Sequence, residues 1–151
     1  MGFFAAHGVL SVEGGQTLVP LFGSEDGAGA RTLTRIAADD LRDAAAHGQE
    51  LLDGNPEGCA RAVLVLDGYV PLEGRRTDAL VVRGVAYAPE RATLTLAVPY
   101  RPRTWRRRFA VLPLLFPDGV PDADALGRAF VEGVTSHEQA ARVWSRAEQA
   151  G

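Results

Sequence analysis

Apolar residues recur every second position through the middle of this chain, and every third or fourth position in the segments on either side. Between residues 60 and 116 four β-prone segments follow one another, at about 60–70, 77–87, 92–99 and 106–116. In the second, Asp78, Leu80, Val82, Gly84 and Ala86 share one face, and Thr77, Ala79, Val81, Arg83, Val85 and Tyr87 the other. In the third, Leu94, Leu96 and Val98 alternate with Thr93, Thr95 and Ala97. Such two-residue alternation marks strands whose faces meet different surroundings. The connections at 73–76 and 88–91 are too short for a crossover helix, so the pattern predicts antiparallel pairing.

A helical period appears on both sides of this region. Leu33, Ile36, Ala37, Leu41, Ala44, Ala45, Gly48, Leu51 and Leu52 form one stripe, which predicts a helix over 32–53. Its stripe is small at Ala44, Ala45 and Gly48, so it can lie close to a sheet, and Gly54-Asn55-Pro56 stops it. At the other end, Leu126, Ala129, Phe130 and Gly133 form one stripe, and Ala140, Val143, Trp144 and Ala147 another. These predict helical structure over 122–148, as two helices or one broken at Gly133, with Thr135 and Glu138 spaced as a capping box. Trp144 is expected to lean on a sheet face or a partner subunit.

The first segment is read as a hairpin over 3–22, with two β-prone runs either side of Gly14-Gly15 and Pro20 placing the second strand at an edge or its end. Residues 23–30, rich in Gly, are expected to form a linker. Together these elements predict a single α+β domain over 1–151. Its antiparallel meander sheet has four to six strands, flanked by one central helix and one or two C-terminal helices.

Composition narrows the class without naming a function. At 151 residues, with 46% hydrophobic and 23% charged positions, the chain is long enough for one continuous core and too apolar for disorder. Cys59 is the only cysteine, the first residues lack a basic stretch before an apolar run, and no apolar stretch approaches a membrane span. These features lead to the expectation of a soluble cytoplasmic protein.

Charge is segregated. Residues 1–60 hold three Arg and nine acids, a net of −6; residues 61–117 hold ten Arg and four acids, +6; residues 118–151 hold three Arg and six acids, −3. The sheet region is basic and its flanks acidic, which intramolecular or intersubunit pairing would neutralise. All 16 basic residues are Arg, a feature that fits composition bias better than a binding device. The sequence pI of about 5.6 makes nucleic acid an unfavourable partner.

The densest chemical feature is Arg101-Pro102-Arg103-Thr104-Trp105-Arg106-Arg107-Arg108. Arg101, Arg103, Arg106 and Arg108 can clamp phosphate or carboxylate, with Trp105 stacking on a ring. The bland alternative is a solvated turn leading into a strand, with Trp105 as a lid on the core edge. Arg83 is a further anion-binding candidate, on a sheet face with Thr93, Thr95, Tyr87 and Tyr100. Gly27 and Gly29 precede a helix but lack a phosphate-loop pattern. His7, His47 and His137 have no ligand spacing, Cys59 has the context of a packing residue, and no serine sits in a nucleophile elbow. The acids at Asp39-Asp40 and at Asp122 and Asp124 suit helix N-termini.

No catalytic residue, metal or cofactor is expected. The favoured expectation is a non-enzymatic protein acting through protein contact or homodimeric self-association. The alternatives are a binding module or small enzyme for an anionic small molecule, and nucleic-acid binding through 101–108.

Overall fold

The computed structural model describes residues 1–117 and 119–148; the expected domain therefore includes Asp118 and 149–151, which lie outside the described residues. Four helices flank a six-stranded antiparallel sheet that curves into a half-barrel, the α+β class read from the sequence. The order along the chain is α1 (Gly2–Glu13), β1 (Leu21–Glu25), β2 (Arg31–Arg35), α2 (Leu41–Gly54) and β3 (Arg61–Leu72). There follow β4 (Arg75–Ala86), β5 (Ala92–Arg101), β6 (Ala110–Val111), α3 (Ala123–Thr135) and α4 (Glu138–Glu148). Strands lie side by side as β2-β1-β3-β4-β5-β6.

The long central strands follow the predicted alternation. Glu73 and Gly74 both adopt positive φ between β3 and β4, the two-residue hairpin geometry that matches strand twist. Val63, Val65, Leu80, Val82, Leu96 and Val98 point to one face, where α1, α3 and α4 bury them. The opposite face carries Ala62, Leu64 and Val85 beneath Ala44 and Leu52 of α2. Gly48 lets α2 approach closely: a Cβ there would lie 2.5 Å from Leu64 Cδ1. The expectation of a helix with a small contact face holds.

The predicted hairpin over 3–22 is overturned: its first half is helix α1. Gly2, Phe4, Ala5, Ala6, Gly8, Val9, Ser11 and Val12 are buried, so α1 is apolar nearly all round. A helix covered on most sides has no polar stripe, and periodicity then cannot separate it from a buried strand. Gly14-Gly15 ends α1 instead of turning a hairpin; Gly14 N–H bonds to Leu10 O, and Gly15 takes a positive φ. Pro20 precedes β1, which lies inside the sheet, and its carbonyl accepts from Ile36 N–H.

The actual first hairpin is β1 and β2, and the expected linker 23–30 supplies the end of β1 and the turn. Asp26 Oδ1 accepts from the N–H groups of Ala28 and Ala30 at 2.8 and 2.9 Å, closing that turn locally. The helix expected over 32–53 therefore loses its first turns to the alternating strand Arg31-Thr32-Leu33-Thr34-Arg35. It begins at Leu41, where Asp40 caps the N-terminus by accepting from Arg42 N–H at 2.6 Å. Asn55 in the left-handed region ends it, as predicted.

The strand expected over 106–116 shrinks to Ala110–Val111 and a single bridge between Leu115 and Ala97. Pro113 and Pro117 bring no N–H to a ladder, and residues 102–109 close on themselves through Thr104, which accepts from Arg106 and Arg107 N–H. At the C-terminal end the capping box at Thr135 is not formed. Thr135 is the last residue of α3 and donates its hydroxyl to Val131 O. His137 takes the capping position, its Nδ1 accepting from Ala140 N–H at 3.4 Å. Trp144 is buried within the same chain, edge-on to Phe130. Among the described residues no helix is long and apolar enough to cross a membrane.

Candidate functional site

The 102–109 loop owes its shape to Pro102, which stops β5, and to Thr104, whose carboxy-side neighbours bond back to its hydroxyl. This fold separates the five arginines. Arg101 remains in β5, in register with Ala110. Arg106 stacks on Trp105, with its guanidinium carbon 4.1 Å from the ring. Trp105 is 86% exposed, so it is no lid on the core. Arg107 is exposed, and its carbonyl accepts from Thr104 N–H.

Arg103 and Arg108 behave differently. They line one cavity of about 350 Å³ together with Arg146 of α4 and Glu13 at the end of α1; Phe109, Val143 and Ala147 supply its apolar floor. Three arginines from two separate segments thus share the lining with one carboxylate, an excess of positive charge beside an apolar base; Arg146 Nε also donates to Arg142 O within α4. Planar guanidinium forks suit phosphate and carboxylate oxygens, and an apolar floor strengthens such contacts by limiting water. Arg146 was missed from sequence because it lies beside the packing stripe Val143, Trp144 and Ala147, and only folding carries α4 to the loop. Its one local signal is the position in the last helical turn, where a cation also suits the helix dipole.

Arg83 does not join this group. It lies on the α2 face of β4 and donates to Gln49 Oε1 at 2.6 Å. Thr93 and Thr95 stand in register with Val85 and Arg83. Tyr87 donates its hydroxyl to Leu52 O. Tyr100 points to the opposite face, in the core with Phe109, so the five residues do not line one pocket.

A second polar cavity, of about 400 Å³, opens where β1 begins. Pairing with β1 reaches only Val65, so β3 continues from Leu66 to Leu72 along a free edge. Pro71 falls on that edge, where a missing N–H is harmless. The cavity is lined by Asp67, Tyr69 and Asp78 of the strands, by Thr17, Leu18 and Pro20, and by Leu41 and Ala45 of α2. Tyr100 donates to Asp67 Oδ1 at 2.9 Å. Burial raises the Asp67 carboxyl above the usual carboxylate range and Asp78 adds to it, while the Tyr100 hydroxyl and Gly68 N–H oppose the shift. Burial, then Asp67, pushes the Tyr100 phenol up.

Two histidines that sequence left apart are neighbours: the His7 and His137 rings are 4.8 Å apart, beside Phe3. Burial lowers the His7 pKa, and His137 and Arg35 add to the effect. Among the described residues no three His, Cys, Asp or Glu side chains group so as to hold a metal ion. Cys59 belongs to a turn, its N–H donating to Asn55 Oδ1 at 2.8 Å.

No protein-family model, curated protein or solved structure matches this chain.

Proposed function

We propose that the protein binds a small anionic ligand, phosphate- or carboxylate-bearing, between the 102–109 loop and α4. The observation that carries this reading is the convergence of Arg103, Arg108 and Arg146 on one cavity with an apolar floor. Exposed arginines scattered over a surface would remain solvated and discriminate poorly. Three guanidinium groups around a concave base can replace the hydration shell of an anion from several sides. Glu13 adds selectivity, because its carboxylate repels an anion that fills the whole site and leaves room for one bearing a donor on that side.

The test is calorimetric titration of inorganic pyrophosphate and of citrate into the wild-type protein and into Arg103→Ala, Arg108→Ala and Arg146→Ala. Each substitution is expected to weaken binding by about tenfold or more, in line with the loss of a charge-assisted contact. Equal affinity in all four proteins, or no heat from either anion at millimolar concentration, would overturn the reading.

Protein contact or self-association through the same loop is the second reading, and Trp105 favours it. A largely exposed Trp flanked by arginines has the composition of an interface anchor. Size-exclusion chromatography with light scattering compares the wild type with Trp105→Ala. A dimer that the substitution dissociates supports this reading, and a strict monomer in both removes self-association.

A further inference from the structure

The α1 face of the sheet extends past the first turn of α1, and there it is covered only in part. Register places Gly23, Val63, Gly84 and Leu94 in one row across four strands, and Glu25, Arg61, Ala86 and Ala92 in the next. The first row is shallow. Phe4 lies directly over Gly23 and Met1 over Gly84, where added Cβ atoms would meet them at 2.3 and 2.6 Å. Beyond these two side chains the floor of Ala86 and Ala92 stays low, and a cavity of about 320 Å³ remains, with Val63, Gly84, Val85 and Leu94 also in its lining.

One end of this trough is charged. Glu25, 19% exposed at its side chain, is held between Arg31 at 3.1 Å and Arg61 at 3.4 Å. Arg31 is braced from behind by the Phe3 ring, 4.6 Å from its guanidinium carbon. Two guanidinium groups against one carboxylate, with the Met1 amino group close enough to interact with all three, leave an excess of positive charge at the mouth of an apolar trough. Both arginines keep about half or more of their side-chain surface in water, so further oxygens can reach them.

From this geometry we infer a second ligand site, distinct from the Arg103, Arg108 and Arg146 cavity, that takes a small amphipathic carboxylate. The apolar tail lies along Ala86, Ala92 and Leu94, beside the Met1 side chain that covers Gly84, and the carboxylate sits at the rim against Arg31 and Arg61. The volume falls at the lower end of small-molecule pockets, roughly 300–1,000 Å³, which suits a short acyl chain better than a bulky lipid. The apolar floor supplies affinity through surface removed from water, and the excess of positive charge at the rim sets the preference for an acid over an alcohol. A bare anion lacks the tail contact and a bare hydrocarbon lacks the rim contact.

The experiment titrates octanoate, 1-octanol and acetate into the full-length protein, with calorimetry and amide chemical-shift mapping. Octanoate is expected to bind more tightly than octanol, acetate not at all, with shifts centred on Val63, Gly84 and Leu94. Ala86→Phe and, at a more exposed position, Ala92→Phe fill the floor and are expected to weaken octanoate by about tenfold or more. Arg31→Ala with Arg61→Ala is expected to erase the preference for octanoate over octanol. The Arg103→Ala, Arg108→Ala, Arg146→Ala protein should bind octanoate as the wild type does, which separates this site from the one proposed above. No binding of octanoate at millimolar concentration, an affinity that neither Phe substitution changes, or shifts confined to the 102–109 loop would each overturn the inference. A second copy covering this face in solution would appear as absent octanoate binding in a dimer, and would overturn it as well.

Discussion

Tyr100 on β5 reaches diagonally across β4 to donate its hydroxyl to Asp67 on β3, joining two strands that do not pair with each other. The bond closes the end of the core beside the free edge of β3, and it satisfies a carboxylate that burial and Asp78 already disfavour. Tyr100→Phe removes the donor and leaves the carboxylate in place, so it is expected to destabilise by about 1–3 kcal/mol in urea unfolding at pH 7. Asp67→Asn keeps an acceptor without the charge and is expected to be neutral or stabilising at that pH. The pH response follows from the raised Asp67 pKa. The folded state holds this proton more tightly than the unfolded chain, so the group favours folding at low pH. That contribution fades as pH rises from the ordinary Asp value of about 3.9 through the raised folded value. Asp67→Asn should remove this component, seen as a difference between the two stability profiles that grows across that window.

His7 has the opposite sign. Its folded pKa is lowered by burial, by His137 and by Arg35, so below the ordinary His value of about 6.5 the unfolded chain binds more protons. Stability is expected to fall as pH drops from that value through the depressed folded one. His7→Phe keeps the ring contacts with Phe3 and His137 while removing the titration, and its unfolding midpoint should decline less over the same range. An unchanged slope would mean that another group titrates there.

Glycines in helices divide by what surrounds them. At Gly48 a methyl group would meet Leu64 and Ile36 at 2.5 and 2.9 Å. Gly48→Ala is therefore expected to cost about 1–3 kcal/mol through overpacking, despite better helix propensity. At Gly127 in α3 the nearest atom is Leu114 Cδ1 at 3.8 Å, an ordinary contact. Gly127→Ala should stabilise by about 0.4–1 kcal/mol. Thermal unfolding of the two variants with the wild type reads both signs.

The two tryptophans report separately. Trp105 is 86% exposed and Trp144 only 2%, with its indole N–H donating to Glu148. Iodide should quench one component of the emission, aided by the arginines around Trp105, and Trp105→Phe should leave a blue-shifted spectrum that iodide scarcely affects. Full protection of both in the wild type would place Trp105 in a contact between molecules.

What the sequence disclosed and what it hid follow one physical rule. Strands β3 to β5 were legible because their faces meet different surroundings, so Leu80 and Val82 alternate with Val81 and Arg83. Helix α2 was legible from Leu41 onward for the same reason. Helix α1 was not, because a segment buried on most sides has no contrast to read, and its Phe and Val residues suit strand as well as helix. The 106–116 segment carried apolar residues at the right density, yet Pro113 within it, and Pro117 just beyond, bring no N–H to a ladder. Of the proposed anion site, Arg103 and Arg108 stood out by local density. Glu13 and Arg146 come from opposite ends of the chain, and nothing along the sequence links them before α1 and α4 pack together. The Asp67 to Tyr100 bond and the His7 to His137 contact were hidden for that same reason.

Helix α1 is made before any strand it rests on, and among the described residues its far flank is covered by α3 and α4, the last two elements. On a ribosome, this greasy segment would have to wait through synthesis of the entire sheet before its partners existed. An element that emerges ahead of the sheet is thus among the last to be sheltered, and any shortening of the distal helices would leave it open to chaperones, proteases or other unfinished chains.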